Sequence, residues 1–286
     1  MNIVPRSAFV PLPILLLLSA CGGGEPREAQ AEVDPPANAV QVVDVSGFDY
    51  GFEAPEVIDA GWTTFRFANR GPEAHHLTLM RLAPGRTASD ALAALRDQQP
   101  LSGIATAVGG PNAPMPGANA DATLDLEPGE YVLVCVIPSP DGVPHFMKGM
   151  AKPITVRDTD ARAAVSPPAD VEVTLTDYTF DIDGAIAAGE RTIRVVNATS
   201  ATEPHEIVLV RLPEGVTSEQ VNDWIHAMEG PPPGEFIGGI TALDPGESGA
   251  FTADFTPGEY AFLCPLPSPD GEAHTYKGMM HQFRVM

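Results

Sequence analysis

Short runs in which apolar and polar residues alternate recur along the chain, and a period of two marks a strand with one buried face. Residues 40–45, 63–68, 77–82, 123–126, 131–136 and 154–156 read this way. Two stretches follow a helical period instead. Thr217-Ser218-Glu219-Gln220 is a capping-box sequence, and Val221, Trp224, Ile225 and Met228 follow it at helical spacing. Thr87, with Ala91, Ala94 and Leu95, is a weaker version of the same signal.

The pattern is also duplicated. Asp49-Tyr50-Gly51-Phe52 matches Asp177-Tyr178-Thr179-Phe180, and Gly61 to Asn69 matches Gly189 to Asn197. Glu73-Ala74-His75 matches Glu203-Pro204-His205, and Gly109-Gly110 matches Gly238-Gly239. The offset stays between 128 and 130, which makes the halves homologous. Residues 40–157 are expected to form one domain and residues 171–286 the other. Residues 158–170, with Ser166-Pro167-Pro168, read as the linker. Many short strands and one inserted helix per half predict an all-β protein of two tandem Greek-key β-sandwiches.

Composition narrows the partners. The net charge is −22, from 38 acidic and 16 basic residues, which argues against nucleic acid and favours basic partners. The N-terminus reads as a targeting segment: Arg6 is followed by the apolar run Ile14 to Leu18. Leu18-Ser19-Ala20-Cys21-Gly22 resembles the lipobox of bacterial lipoproteins, in which cleavage precedes a lipidated cysteine. The expectation is a signal peptide over residues 1–20, a lipid on Cys21 that holds the protein to a membrane, and a flexible tether over residues 21–39. The location implied is the periplasmic face of a membrane, the outer membrane included, or the cell surface.

The strongest motif occurs twice. Pro128-Gly129-Glu130-Tyr131 leads to Cys135, then a loop with Pro-Ser-Pro-Asp-Gly, then His145 and Met150. Pro257-Gly258-Glu259-Tyr260 leads to Cys264, the same kind of loop, His274 and Met279. Nine residues separate Cys from His in each copy, and the turn sequence lets the loop fold back. His75 and His205 are the fourth candidates of each set. Two imidazoles, a thiolate and a weak thioether are the donors of a type 1 copper site. Cys135 and Cys264 could instead pair as a disulfide or lie buried and idle.

With these residues in place, each half resembles a cupredoxin domain of the plastocyanin and azurin type. The resemblance implies one copper per domain, held by His75, Cys135, His145 and Met150 and by His205, Cys264, His274 and Met279. There are departures. Many members have two to four residues between Cys and His, although copper nitrite reductases have long loops. The Asn that often follows the first His is His76 or Glu206 here. His76 reads as solvated, and Met147 and Met280 fall out of the shared register. Laccase-like oxidases and nitrite reductases need further histidines. This chain has seven, and none adjoins Cys135 or Cys264. The expectation is therefore a protein that is not an enzyme. It would carry single electrons and dock a basic redox protein such as a cytochrome. A copper chaperone or store, or a metal-free scaffold, are the alternatives.

Overall fold

The computed structural model describes residues 40–159 and 166–286. The predicted leader, the tether and Cys21 lie outside the described residues. The first repeat contains β1 (Gln41–Phe48), β2 (Gly51–Glu53), β3 (Val57–Asp59), β4 (Gly61–Asn69), β5 (Thr78–Leu82), α1 (Ala88–Arg96), β6 (Ala105–Gly109), β7 (Asn119–Leu126), β8 (Gly129–Val134) and β9 (Ala151–Arg157). The second contains β10 (Val171–Thr176), β11 (Thr179–Asp183), β12 (Gly189–Asn197), β13 (His205–Leu212), α2 (Ser218–Ala227), β14 (Glu235–Leu243), β15 (Ser248–Phe255), β16 (Gly258–Leu263) and β17 (Met280–Val285). All the predicted strands and both helices are present.

The alternation in sequence becomes alternation of burial. Val43 and Val45 of β1 face inward while Val42 and Asp44 face out. In β4, Phe65 and Phe67 are fully buried on either side of exposed Arg66. Each such aromatic contributes about 1.5–3 kcal/mol by leaving water. Both helices begin with closed capping boxes, Thr87 with Asp90 and Thr217 with Gln220. Met228, expected on the apolar stripe, instead ends α2 in a left-handed conformation with φ 51°.

Two sheets face each other, and both run through the two repeats. One has the order β11-β10-β12-β15-β7-β4-β1-β2, the other β17-β16-β13-β14-β6-β5-β8-β9-β3. β1 pairs parallel with β4, and β10 with β12, while β4 runs antiparallel to β7 and β12 to β15. The repeats meet where β7 pairs antiparallel with β15, Ala122 opposite Phe251, and where Val108 of β6 bridges Leu243 of β14. Pairing removes what would be open sheet edges in either repeat alone. The core is shared too, since Val108, Leu124, Ile207, Leu243 and Phe251 belong to one apolar cluster.

The repeated glycine pair has a role at this seam. Gly110 and Gly239 have φ of +148° and +112°, and a Cβ on either would run into the carbonyl oxygen of Leu77 or Ile207. Only glycine allows so close an approach of backbones.

Candidate metal centres

Each Cys-loop-His unit is held by its own hydrogen bonds. Tyr131, Leu133 and Cys135 point into the core from β8 and its end. The Tyr131 hydroxyl donates to the Glu127 carbonyl at 2.8 Å, and that of Tyr260 to the Thr256 carbonyl at 2.9 Å. These are tyrosine corners, which pin the strand that ends in the cysteine. The long loop that follows is a closed miniature hairpin. Pro138 bridges Pro144, the Ser139 amide donates to Val143 O at 2.9 Å, and Lys148 Nζ pairs with Asp141 at 2.7 Å. Its far end is tied back when the His145 amide donates to Ile137 O and the Phe146 amide to Cys135 O, both at 2.9 Å. The second loop repeats this with Pro267 and Ala273, Lys277 and Asp270 at 2.6 Å, and the His274 amide on Leu266 O at 2.9 Å. The nine residues therefore return each histidine to its cysteine. Gly149 and Gly278, with φ of 115° and 106°, turn the chain so that the Met150 and Met279 carbonyls accept from the Cys135 and Cys264 amides, each at 3.2 Å.

His75, Cys135 and His145 converge, as do His205, Cys264 and His274, with the potential ligand atoms of each group within 4.8 Å of one another. His75 Nδ1 is 3.0 Å from His145 Nδ1, and Cys135 Sγ is 3.4 Å from His145 Nδ1. The second group has the same separations, 3.0 Å for His205 to His274 and 3.4 Å for Cys264 to His274. All six side chains are buried, as are Met150 and Met279. Both thiols are free, so no disulfide joins Cys135 to Cys264. The His76 amide donates to Cys135 Sγ at 3.5 Å, and the Glu206 amide to Cys264 Sγ at 3.4 Å.

The outer nitrogens of the first group decide its chemistry. His75 Nε2 lies 2.6 Å from Asp49 Oδ1, and His145 Nε2 lies 2.9 Å from Glu73 Oε2. A carboxylate accepts, so each Nε2 bears the proton and each Nδ1 presents a bare lone pair. Two lone pairs facing at 3.0 Å require a proton or a metal cation between them. The Cys135 sulfur is aimed at the same space, 3.4 Å from His145 Nδ1, so the group offers three donors that a soft cation would share once the thiol gives up its proton.

Electrostatics agree. Burial pulls His145 below the ordinary imidazole range despite Glu73. Burial, then the neighbouring His274, brings His205 down to about 4. Burial also lowers His274. Burial pushes the Cys135 thiol up to about 12 and raises Cys264 as well, so the thiols hold their protons until a metal displaces them. Burial alone would raise Glu73, but hydrogen bonds from His145 and Tyr50 outweigh it and hold the carboxyl low.

Several residues depart from the sequence reading. His76 is buried rather than solvated: its Nε2 accepts from the Val136 amide at 3.1 Å, which the adjoining strand end supplies. Met147, by contrast, is exposed and stands outside the donor set, in keeping with its register. The carboxylates Asp49, Glu73 and Glu203 were missed as site residues. Their signal was present, because Asp49 and Glu73 stand at repeat-equivalent positions to Asp177 and Glu203, each beside a candidate ligand motif.

No family model matches the sequence, and no curated protein matches it. Solved structures with a similar fold include auracyanin B, 23% identical over 43% of this chain and 93% of that one, with a TM-score of 0.31. A multicopper oxidase is 16% identical over 86% of this chain and 89% of that one, TM-score 0.26. The copper nitrite reductase of Nitrosomonas europaea is 13% identical over 86% and 94%, TM-score 0.25. The fold is an all-β pair of repeats in two sheets, and the donor sets are of the kind that suits copper. One expectation is corrected here. Enzymatic activity was excluded on histidine number, yet an oxidase and a nitrite reductase are among the structures that this fold resembles. A histidine count tallies the donors of one chain and does not bar a reaction at these centres.

Proposed function

We propose that each half binds one copper ion, through His75, Cys135, His145 and Met150 and through His205, Cys264, His274 and Met279, and that the protein carries single electrons. The observation that supports this most directly is the pair of bare Nδ1 lone pairs facing each other beside a buried thiol in the first half. When bound, the metal supplies a one-electron couple. The chain's own part is to hold three donors in place before the metal arrives and to keep water out. Little rearrangement is then needed when the charge changes. Anchoring through a lipid on Cys21 outside the cytoplasm is part of the same reading. No helix among the described residues is long and apolar enough to cross a membrane. The charge of −22 suits docking to a basic redox protein such as a cytochrome, with rates that fall as salt rises.

The test is to add Cu(II) to the purified soluble form while recording the visible spectrum and metal content. An intense thiolate-to-copper band in the red, with copper bound in proportion, is expected. Bound copper without the band would overturn the type 1 reading, and failure to bind copper would overturn the metal reading.

A further inference from the structure

The two centres are joined by a continuous line of hydrogen bonds across the seam between the repeats. It starts at Cys135 Sγ, which accepts from the His76 amide at 3.5 Å. One peptide further on, the Leu77 amide donates to the Pro111 carbonyl at 3.0 Å. The next residue, Asn112, reaches into the other repeat, where its Nδ2 donates to the Ile207 carbonyl at 3.1 Å. Ile207 adjoins Glu206, whose amide donates to Cys264 Sγ at 3.4 Å. Four hydrogen bonds and short stretches of backbone thus connect one thiol to the other.

The line is doubled at its centre. Thr241, the repeat equivalent of Asn112, donates from Oγ1 to the Leu77 carbonyl at 3.3 Å. The backbones cross in the same reciprocal way: the Asn112 amide donates to Gly239 O at 3.2 Å, and the Thr241 amide to Gly110 O at 2.8 Å. Asn112 also lines the cleft between the halves together with His76 and Glu206, and its Oδ1 accepts from the Ala113 amide at 2.8 Å. Asn112 and Thr241 are themselves buried, so water does not compete for these bonds.

We propose that this crossing is an electron bridge, through which the two metal centres exchange one electron within a single molecule. The proposal rests on copper binding in both halves. Tunnelling decays less steeply along bonds and hydrogen bonds than through empty space, and both ends of this line terminate on the sulfur donors. In the transfer one electron leaves the Cu(I) form of one centre and reduces Cu(II) at the other. No bond is made or broken and no proton moves. The protein then behaves as a two-electron reservoir that fills and empties through either end.

The test uses copper-loaded protein carrying Met150→Gln, which lowers the first centre's potential and shifts its band, so the two centres are resolved. Rapid reduction by pulse radiolysis should be followed by a first-order shift of electrons from the first centre to the second, at a rate independent of protein concentration. The double variant Asn112→Leu with Thr241→Val should slow that phase on the order of tenfold while both visible bands and the copper content persist. If the double variant fails to fold, the two single variants serve. Slowing of about threefold in either supports the bridge, and unchanged rates in both overturn it. Metal-free protein gives an independent readout by NMR. The Asn112 Nδ2 protons should exchange with solvent at least roughly tenfold more slowly than those of an exposed asparagine, and free exchange overturns the crossing. Oxidised, copper-loaded protein without visible bands overturns the type 1 reading, and protein that takes up no copper overturns the metal reading, in either case apart from the bridge. With both bands present, the bridge is overturned if the phase is absent, scales with protein concentration, or is untouched by the double variant.

Discussion

In the first half Asp49 stands 2.6 Å from His75 Nε2; in the second the equivalent Asp177 accepts from Thr199 Oγ1 at 2.5 Å. His205 Nε2 is left buried with no hydrogen-bond partner. Glu203 comes within 3.1 Å of His274 Nε2 but lies off the line of a good hydrogen bond. One position accounts for the difference at Asp177. Thr199 stands where the first half has Gly71, and a Cβ on Gly71 would run into both His75 Nε2 and Asp49 Oδ1. Absence of a side chain leaves room for the Asp49–His75 contact, and the Thr199 hydroxyl draws Asp177 away from the equivalent one. Two centres with the same inner donors thus differ in the groups behind them. A carboxylate behind a ligating imidazole makes it a stronger donor and fixes its orientation.

The largest effect in separating the centres comes from removing one. Cys135→Ser or Cys264→Ser should halve the copper bound and leave the spectrum of the other centre alone, measured by metal analysis and visible absorption. Next is the support itself. Gly71→Thr should lower copper affinity at the first centre about 10- to 100-fold with little change at the second, measured by competition with a chelator in the Cys264→Ser background. The reverse change, Thr199→Gly, should strengthen the second centre, and failure of both would mean that Asp49 is a bystander. A smaller difference should appear in the reduction potentials. The first centre, with a carboxylate behind its His75 imidazole, favours Cu(II) and should have the lower potential by spectroelectrochemistry, and Thr199→Gly should narrow the gap. The smallest effect lies away from both centres. Thr217→Ala should cost about 1 kcal/mol of stability in thermal unfolding by opening the α2 cap, and leave both bands unchanged.

The parts of the molecule legible in sequence were those set by local chemistry. Thr217 and Gln220 announced a helix start, and the Pro-Ser-Pro-Asp-Gly turn announced a loop that closes on itself. The duplicated order of Cys135, His145 and Met150 placed the donors along the chain, and His75 joined them because the repeat supplied His205. What stayed hidden depends on pairing between distant segments. Nothing in the alternation of β7 tells that its free edge meets β15, because an edge strand and a central strand can share one pattern. His76 reads as polar and therefore exposed until the Val136 amide is placed beside it. The contrast between Gly71 and Thr199 is visible in the alignment of the repeats, but its meaning depends on how near that backbone passes to the ligand.

The reciprocal crossing at the seam has a further consequence. Asn112 reaches Ile207 while its counterpart Thr241 reaches Leu77, so each repeat offers the other the same surface that it receives. That is the geometry of a two-fold, isologous interface. The two repeats thus meet as two copies of one surface would, within a single continuous chain. A fragment of residues 40–157 would expose β6 and β7 as open edges and seek a second copy of itself. What the seam holds together, with one donor group on either side of it, is the pair.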